Sequence, residues 1–394
     1  MYTSVDASLM RTFNKRTVLR YIYQHDQTSR VAISQATGLN RATVSSVVDE
    51  LIAQEWVREI GPGDSRGGRR PILLRFNERA GYAIGIDVQI SHLYTVMTDA
   101  TRRVIYEHRA DLDPTLQPMR ESVLLERLVD AVDRARQALP ESPYGIFGVG
   151  IALPGLVNYQ TGQVVYLPNL DIHDWPIVQA LKQVRPYPVV IDNDANCGAW
   201  SEYLAQSIPN MLFINAGIGV GAGIIVDGQL YRGHHGIAGE AGHTTISTVG
   251  LLCSCGNYGC WEQYASEQAL ARYVREQGEG QADPFMPDFV KHALGEANRG
   301  NPIYQAAWRT LGEYLGIGMA NLANLFNPER IFLGGTIAQA REWILPEISR
   351  VMRHRAMDRN KSMTVEVSHH RAVAMGAAGL AIANAIDLLP TRIH

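Results

Sequence analysis

Val44, Val47, Val48, Leu51 and Ile52 recur at three- and four-residue intervals, which predicts a helix with one apolar stripe starting after Asn40. Two shorter patterns precede it. Val18, Leu19 and Ile22 give residues 14–25 one apolar face, and Val31, Ala32 and Ile33 open a second helix over 30–37. Ser29 and Asn40 are of the type that caps a helix start, and Gly38 breaks the chain between the second and third helices. Two short helices joined by a glycine turn predict a helix-turn-helix. The period then shortens. Residues 56–60 and 72–76 read as paired strands around the loop 61–71, which completes a winged helix-turn-helix folding about its own core.

Beyond residue 80 the apolar positions lengthen into buried strands. Residues 82–88, 93–98 and 103–108 predict three of them, followed by a helix near 121–138 and a strand over 147–152 that enters Pro154-Gly155. Val189-Val-Ile runs into the polar turn Asp192-Asn193-Asp194-Ala195-Asn196 and then a helix, on which Cys197 reads as a packed core thiol. A second set follows: a glycine-rich strand region from Met211, a helix near 304–325, the strand 330–335, and an Ala/Gly-rich closing helix over 372–388. This resembles an actin-like or ribonuclease-H-like α/β fold, with two lobes facing across a cleft and ligand bound where strand ends converge. The division expected is 1–80 for the winged head, 81–195 plus 374–394 for the first lobe, and 196–373 for the second.

Charge sharpens the reading of the head. Residues 1–76 hold 11 Lys/Arg against 7 Asp/Glu, whereas the remainder holds 25 against 32. A basic head on an acidic body suits a polyanionic partner. Arg41, Thr43, Ser45 and Ser46 stand off the apolar stripe near the start of the third helix, where they suit a major groove, although a solvated face has the same composition. Arg30 is a further candidate contact. In the loop, Arg66, Arg69 and Arg70 among glycines suit a narrow minor groove; a flexible basic linker is the alternative. No apolar run approaches the length that spans a bilayer, and no leader pattern opens the chain, so a cytoplasmic protein is expected.

The densest chemistry lies at 239–262. His243, Cys253, Cys255 and Cys260 supply one imidazole and three thiols, the ligands zinc favours in a closed tetrahedral site. Gly256 and Gly259 permit the turns that gather the sulfurs. A disulfide is the weaker alternative in a chain expected to be cytosolic.

Glu-Ala-Gly-His at 240–243 followed by Cys-Ser-Cys-Gly-Asn-Tyr-Gly-Cys-Trp-Glu at 253–262 resembles the signature of the ROK family of sugar kinases and sugar-responsive repressors. The resemblance assigns zinc to His243, Cys253, Cys255 and Cys260. It assigns a monosaccharide to Gly155, Asn169, Asn193, Asp194, Glu240, His243 and Glu262. In the kinases the aspartate corresponding to Asp194 is the general base; a helix N-cap is the plainer reading of that turn. Kinases of the family also carry Asp-x-Gly-Gly-Thr after the first strand of the body, where the glycines admit ATP phosphates. Here the run is Asp87-Val-Gln-Ile-Ser91, so both glycines are gone, while Gly217, Gly219 and Gly221 keep a second glycine loop. Sugar groups kept and phosphate groups lost imply no enzyme but a repressor: a homodimer or dimer of dimers on operator DNA, released by an inducer. Xylose is the expected inducer, with glucose, N-acetylglucosamine and a kinase as alternatives.

Overall fold

The computed structural model describes residues 7–25, 27–63, 70–112, 119–278, 282–286 and 288–389. Its head contains helices α1 (Ala7–Gln24), α2 (Arg30–Thr37) and α3 (Arg41–Ala53) and strands β1 (Thr28–Ser29), β2 (Val57–Pro62) and β3 (Ile72–Phe76). The capping logic holds at both predicted starts. Ser29 Oγ accepts from the Ala32 amide at 3.2 Å, and Asn40 Oδ1 accepts from the Thr43 amide at 2.8 Å. Gly38 ends α2 in the left-handed region, φ 72°. Val44, Val47, Val48 and Leu51 are buried on α3. Strands β2 and β3 pair antiparallel, and β1, which has no sequence pattern of its own, adds to β3. Helix α1 begins seven residues before its expected start, because strong helix formers such as Leu9, Met10 and Arg11 extend it with exposed side chains.

The first large sheet comprises β4 (Tyr82–Val88), β5 (His92–Asp99), β6 (Val104–Asp111), β7 (Ile146–Leu153) and β11 (Val189–Asn193), in the order β11-β7-β4-β5-β6. Helix α4 (Glu121–Gln137) covers one side. Between β7 and β11 the chain forms an antiparallel meander of β8 (Leu156–Asn158), β9 (Gln163–Leu167) and β10 (Ile172–Trp175), then α5 (Ile177–Val184). The second large sheet comprises β12 (Met211–Ala216), β13 (Val220–Val226), β14 (Gln229–Leu230), β15 (Arg330–Gly334) and β16 (Val365–Val367), in the order β14-β13-β12-β15-β16. Helix α6 (Asp194–Gln206) packs on β12 and β13. The other flank carries α7 (Glu262–Ala265), α8 (Glu267–Glu276), α9 (Phe289–Asn298), α10 (Pro302–Phe326) and α11 (Arg341–Arg355).

Helix α12 (Ala372–Asp387) holds these parts together, packing against β4, β7 and α6. Its small residues let backbones almost touch. A Cβ on Gly85 of β4 or Gly150 of β7 would lie 1.9 Å from a carbonyl of α12, and one on Gly376 would lie 1.7 Å from the Cys197 carbonyl of α6. One finding goes beyond the sequence expectation: the buried core of the head runs on into the body. Val18, Leu19, Tyr23, Trp56 and Phe76 belong to one buried cluster with Phe147, Trp200, Ala378 and Ile382. Trp56 stacks on Tyr144 and Phe147 with ring centroids 4.3 and 5.2 Å apart. Apolar periodicity shows that a face is buried but not against what, so the shared core was invisible in the sequence. Among the described residues no helix is long and apolar enough to cross a membrane.

Candidate functional site: a cleft beside a histidine–cysteine cluster

A cavity of about 760 Å³ opens between the two large sheets, within the usual range for ligand sites. It collects all seven predicted sugar residues: Gly155, Asn169, Asn193, Asp194, Glu240, His243 and Glu262. Strand β11 delivers the first group. Asn193 caps α6, its Oδ1 accepting from the amides of Ala195 (2.9 Å) and Asn196 (3.4 Å), while its Nδ2 donates to the Gly155 carbonyl at 3.2 Å. The N-cap reading and the ligand reading therefore coexist in one residue. Asp194 accepts from the Ala195 amide at 2.8 Å and from Asn215 Nδ2 at 2.9 Å.

Behind this turn stands a clamp that sequence reasoning missed. Arg232, just beyond β14, donates through Nε (2.8 Å) and Nη2 (2.7 Å) to Asp192 Oδ2. Asp192 is 2% exposed, and Asn196 Nδ2 donates to its other oxygen at 2.8 Å. The guanidinium also lies over the Tyr159 ring, 4.4 Å from its centroid. Forty residues separate the partners and no local motif marks either one.

Burial raises two carboxyls at the floor of the cleft. Asp87 is pushed up to about 7 by desolvation, opposed by the hydrogen bond from Gln89 Nε2 (2.7 Å) and reinforced by the charge of Asp194. Asp194 is pushed up to about 6 by desolvation, opposed by its bonds from Ala195 and Asn215 and reinforced by Glu240. A carboxyl raised in the folded state stabilises the fold fully only below its unfolded value, and that contribution is lost as pH rises through the folded value. Between about pH 4 and 7 these groups therefore erode stability as pH rises. A ligand hydroxyl donating to Asp194 would follow the opposite course, because a carboxylate accepts from hydroxyls better than a carboxylic acid does. Sugar affinity measured by calorimetry should thus rise severalfold from pH 5 to pH 7, and Asp194→Asn should flatten that rise; an unchanged profile in the variant would show that Asp194 does not contact ligand.

The far wall carries the cysteine cluster. His243, Cys253, Cys255 and Cys260 bring their four donor atoms within 4.8 Å of one another. Cys255 Sγ lies 3.7 Å from Cys260 Sγ, and Cys253 Sγ lies 3.5 Å from His243 Nδ1. Tetrahedral bonds of roughly 2.0–2.3 Å imply ligand separations of about 3.5–3.8 Å, so the group can hold one metal ion. Gly259, with φ 73°, makes the close turn: a Cβ there would lie 1.8 Å from the Ser247 carbonyl. All four cysteines of the chain are free thiols, so the structure shows no disulfide among them. The other ring nitrogen, His243 Nε2, faces Glu240 at 3.8 Å, on the cleft side. Glu262 opens α7 with one oxygen 3.1 Å from Cys253 Sγ and the other beside Gly219.

The turn after β4 matches the sequence expectation of a side-chain-filled loop: Gln89 and Ile90 line the cleft where glycines would admit phosphate. On the head, Arg41 and Ser46 are exposed at the start of α3, and Thr43 and Ser45 are half-buried beside them. Arg70 is exposed, whereas Arg66 and Arg69 lie outside the described residues. Arg30 is engaged within the head, donating to Asp49 at 2.7 Å and Glu59 at 2.8 Å.

Comparison with known proteins agrees with this architecture. Residues 12–67 match the MarR family. The xylose repressor of Caldicellulosiruptor bescii is 35% identical over 96% of this chain and 98% of its own length. A crystal structure of a ROK family transcriptional regulator, a homologue of the E. coli MLC protein, superposes with a TM-score of 0.78 at 26% identity, covering 96% of both chains. A ROK family glucokinase from Streptomyces griseus, solved with glucose and AMPPNP, superposes with a TM-score of 0.66 at 30% identity, covering 77% of this chain and 99% of that one. Residues 83–384 match the ROK family along their length, and the chain belongs to that family.

Proposed function

We propose that the chain is a sugar-responsive transcriptional repressor without kinase activity, and that its inducer is xylose. One observation carries the reading: the cleft keeps the polar groups suited to a monosaccharide, while Gln89 is bonded to Asp87 in the turn where phosphate would enter. The name of the C. bescii relative supports xylose in particular.

In this reading Asn193 and Asp194 orient one pair of hydroxyls, by a donating amide and an accepting carboxylate. His243, Glu240 and Glu262 read the neighbouring hydroxyls, with the imidazole donating through Nε2 and the carboxylates accepting. His243, Cys253, Cys255 and Cys260 would hold zinc, which fixes the ring orientation and leaves Nε2 protonated toward the cleft. Arg41, Thr43, Ser45 and Ser46 enter a major groove, and Arg70 with Arg66 and Arg69 follows the wing toward the backbone or minor groove. Arg30 acts as a brace across α2, α3 and β2, since two carboxylates already occupy its guanidinium. Two copies bind two half-sites in the cytoplasm, and sugar between the sheets resets the spacing of the heads.

The test is a titration of the full chain on duplex selected from a randomised pool, with xylose, glucose, N-acetylglucosamine or no sugar. Xylose should weaken binding and the others should not; ATP turnover with any of these sugars, or tighter DNA binding with xylose, would overturn the reading. In the same assay Arg41→Ala should lose about 1–3 kcal/mol of preference for the selected site over random duplex. Equal discrimination by Arg41→Ala would remove α3 from the interface.

A further inference from the structure

Helix α12 reaches from the cleft to the head. Its first residues, Ala372 and Val373, line the cavity. Sixteen residues later, roughly 24 Å along the axis at 1.5 Å per residue, its far end meets α1. There Arg16 Nη2 donates to the Leu389 carbonyl at 2.9 Å, and Arg20 pairs with Asp387. Midway, the Tyr23 hydroxyl donates to the Gly379 carbonyl at 3.1 Å. Tyr23 is 2% exposed and packs edge-on against Phe76 of β3. Arg102, in the β5–β6 turn, donates to the Tyr23 carbonyl at 3.3 Å. The same segment of α12 meets the helix that starts at the ligand turn: a Cβ on Gly379 would lie 2.8 Å from Leu204 and 3.3 Å from Trp200, both on α6.

We propose that α12 is the lever between cleft and head, and that Tyr23 with Gly379 is its joint: a positioning contact that sets how strongly sugar and DNA oppose each other while touching neither ligand. The physical ground is close packing. Where backbones approach as nearly as α12 does to β4, β7 and α6, no side chain is left to absorb a shift, so relative motion of the sheets is passed on. Asp194 and Asn193 sit at the N-terminus of α6, so a ligand that draws this turn toward the far wall moves α6 against α12. The hydroxyl–carbonyl bond then carries that motion to α1 and through the shared core to α3. This inference rests on the repressor reading.

The experiment measures three constants for the full chain, wild type and Tyr23→Phe: xylose affinity, affinity for the selected duplex, and duplex affinity at saturating xylose. Phenylalanine keeps the ring in the core and removes only the donor. Xylose should weaken duplex binding by the wild type about 30-fold, within the range usual for allosteric coupling, and by Tyr23→Phe less than about threefold. Both separate affinities should stay within about twofold of wild type. Gly379→Ala, which presses a methyl group between α6 and the Tyr23 hydroxyl, should lower the coupling in the same way. Coupling intact in both variants would overturn the lever. So would a loss of either separate affinity as large as the loss of coupling, because that marks a merely structural contact. A wild type whose duplex affinity ignores every sugar would overturn the repressor reading itself, and the lever with it.

Discussion

Cys255→Ser should reduce bound zinc from near one per chain to a small fraction, and should weaken xylose binding by at least about a hundredfold. Cys255 is exposed whereas Cys253 and Cys260 are buried, with only 3% and 0% exposure. Serine at the exposed position leaves no cavity and strands no polar group, so the change reads metal ligation without a packing cost. Thiolate contributes much of the affinity of a closed zinc site, whose total reaches about 10–16 kcal/mol in small peptides. Loss of the ion would free the His243 ring and the three thiols from one another, while the backbone bonds of the segment remain, Ile246 to Gly259 and Cys253 to Asn257 at 2.8 Å each and Trp261 to Thr244 at 2.9 Å. The His243 ring and the Glu262 carboxylate, which lies 3.1 Å from Cys253 Sγ, would then lose their fixed orientation toward the cleft. DNA binding without sugar should persist, since α3 and the wing lie on other elements. Elemental analysis paired with calorimetry checks both halves. Full zinc content in the variant would show that the cluster does not ligate as proposed, and intact sugar affinity in metal-free folded protein would show that the ion is only a remote staple.

Arg232→Met should destabilise the fold by about 3–5 kcal/mol, the usual consequence of leaving one member of a buried ion pair behind. Asp192 would keep its bonds from Asn196 and the Asn193 amide but lose the only cation the structure places on it among the described residues. Urea denaturation followed by tryptophan fluorescence reads the change. The double variant Asp192→Asn with Arg232→Met should recover part of the loss, because it buries no unpaired charge, and the cycle isolates the pair energy. The clamp also joins β11 of the first sheet to the segment after β14 of the second, directly behind Asn193 and Asp194. Sugar affinity should therefore fall in Arg232→Met while zinc content stays constant. A loss below about 1 kcal/mol would place this pair with ordinary surface bridges.

Much of the molecule was legible because its signals are local. The stripe on α3, the caps at Ser29 and Asn40, and the buried run of β4 each follow from residues a few positions apart, and the structure has them where the sequence puts them. The cysteine cluster was equally legible: one short segment carries three thiols, and glycines close it on His243. The small strand β1, the β8–β10 meander and the early start of α1 were not, since two- to five-residue strands and an exposed helix turn carry little periodicity.

How distant pieces meet is settled only by packing in three dimensions. The sequence alone determined that residues 14–52 form helices with apolar faces, that 72–76 is a strand, and that 372–388 is a helix rich in alanine and glycine. It could not say that Tyr23, Trp56 and Phe76 pack on the body and not on a separate core, because an apolar face specifies burial without naming its partner. Nor could it say that Arg232 neutralises Asp192, because attraction between charges depends on distance in space and the two are far apart in the chain. The small residues of α12 look in sequence like a weak, featureless helix; only when Gly85, Gly150 and Gly376 bring its backbone against two strands and α6 does their smallness become a requirement of packing.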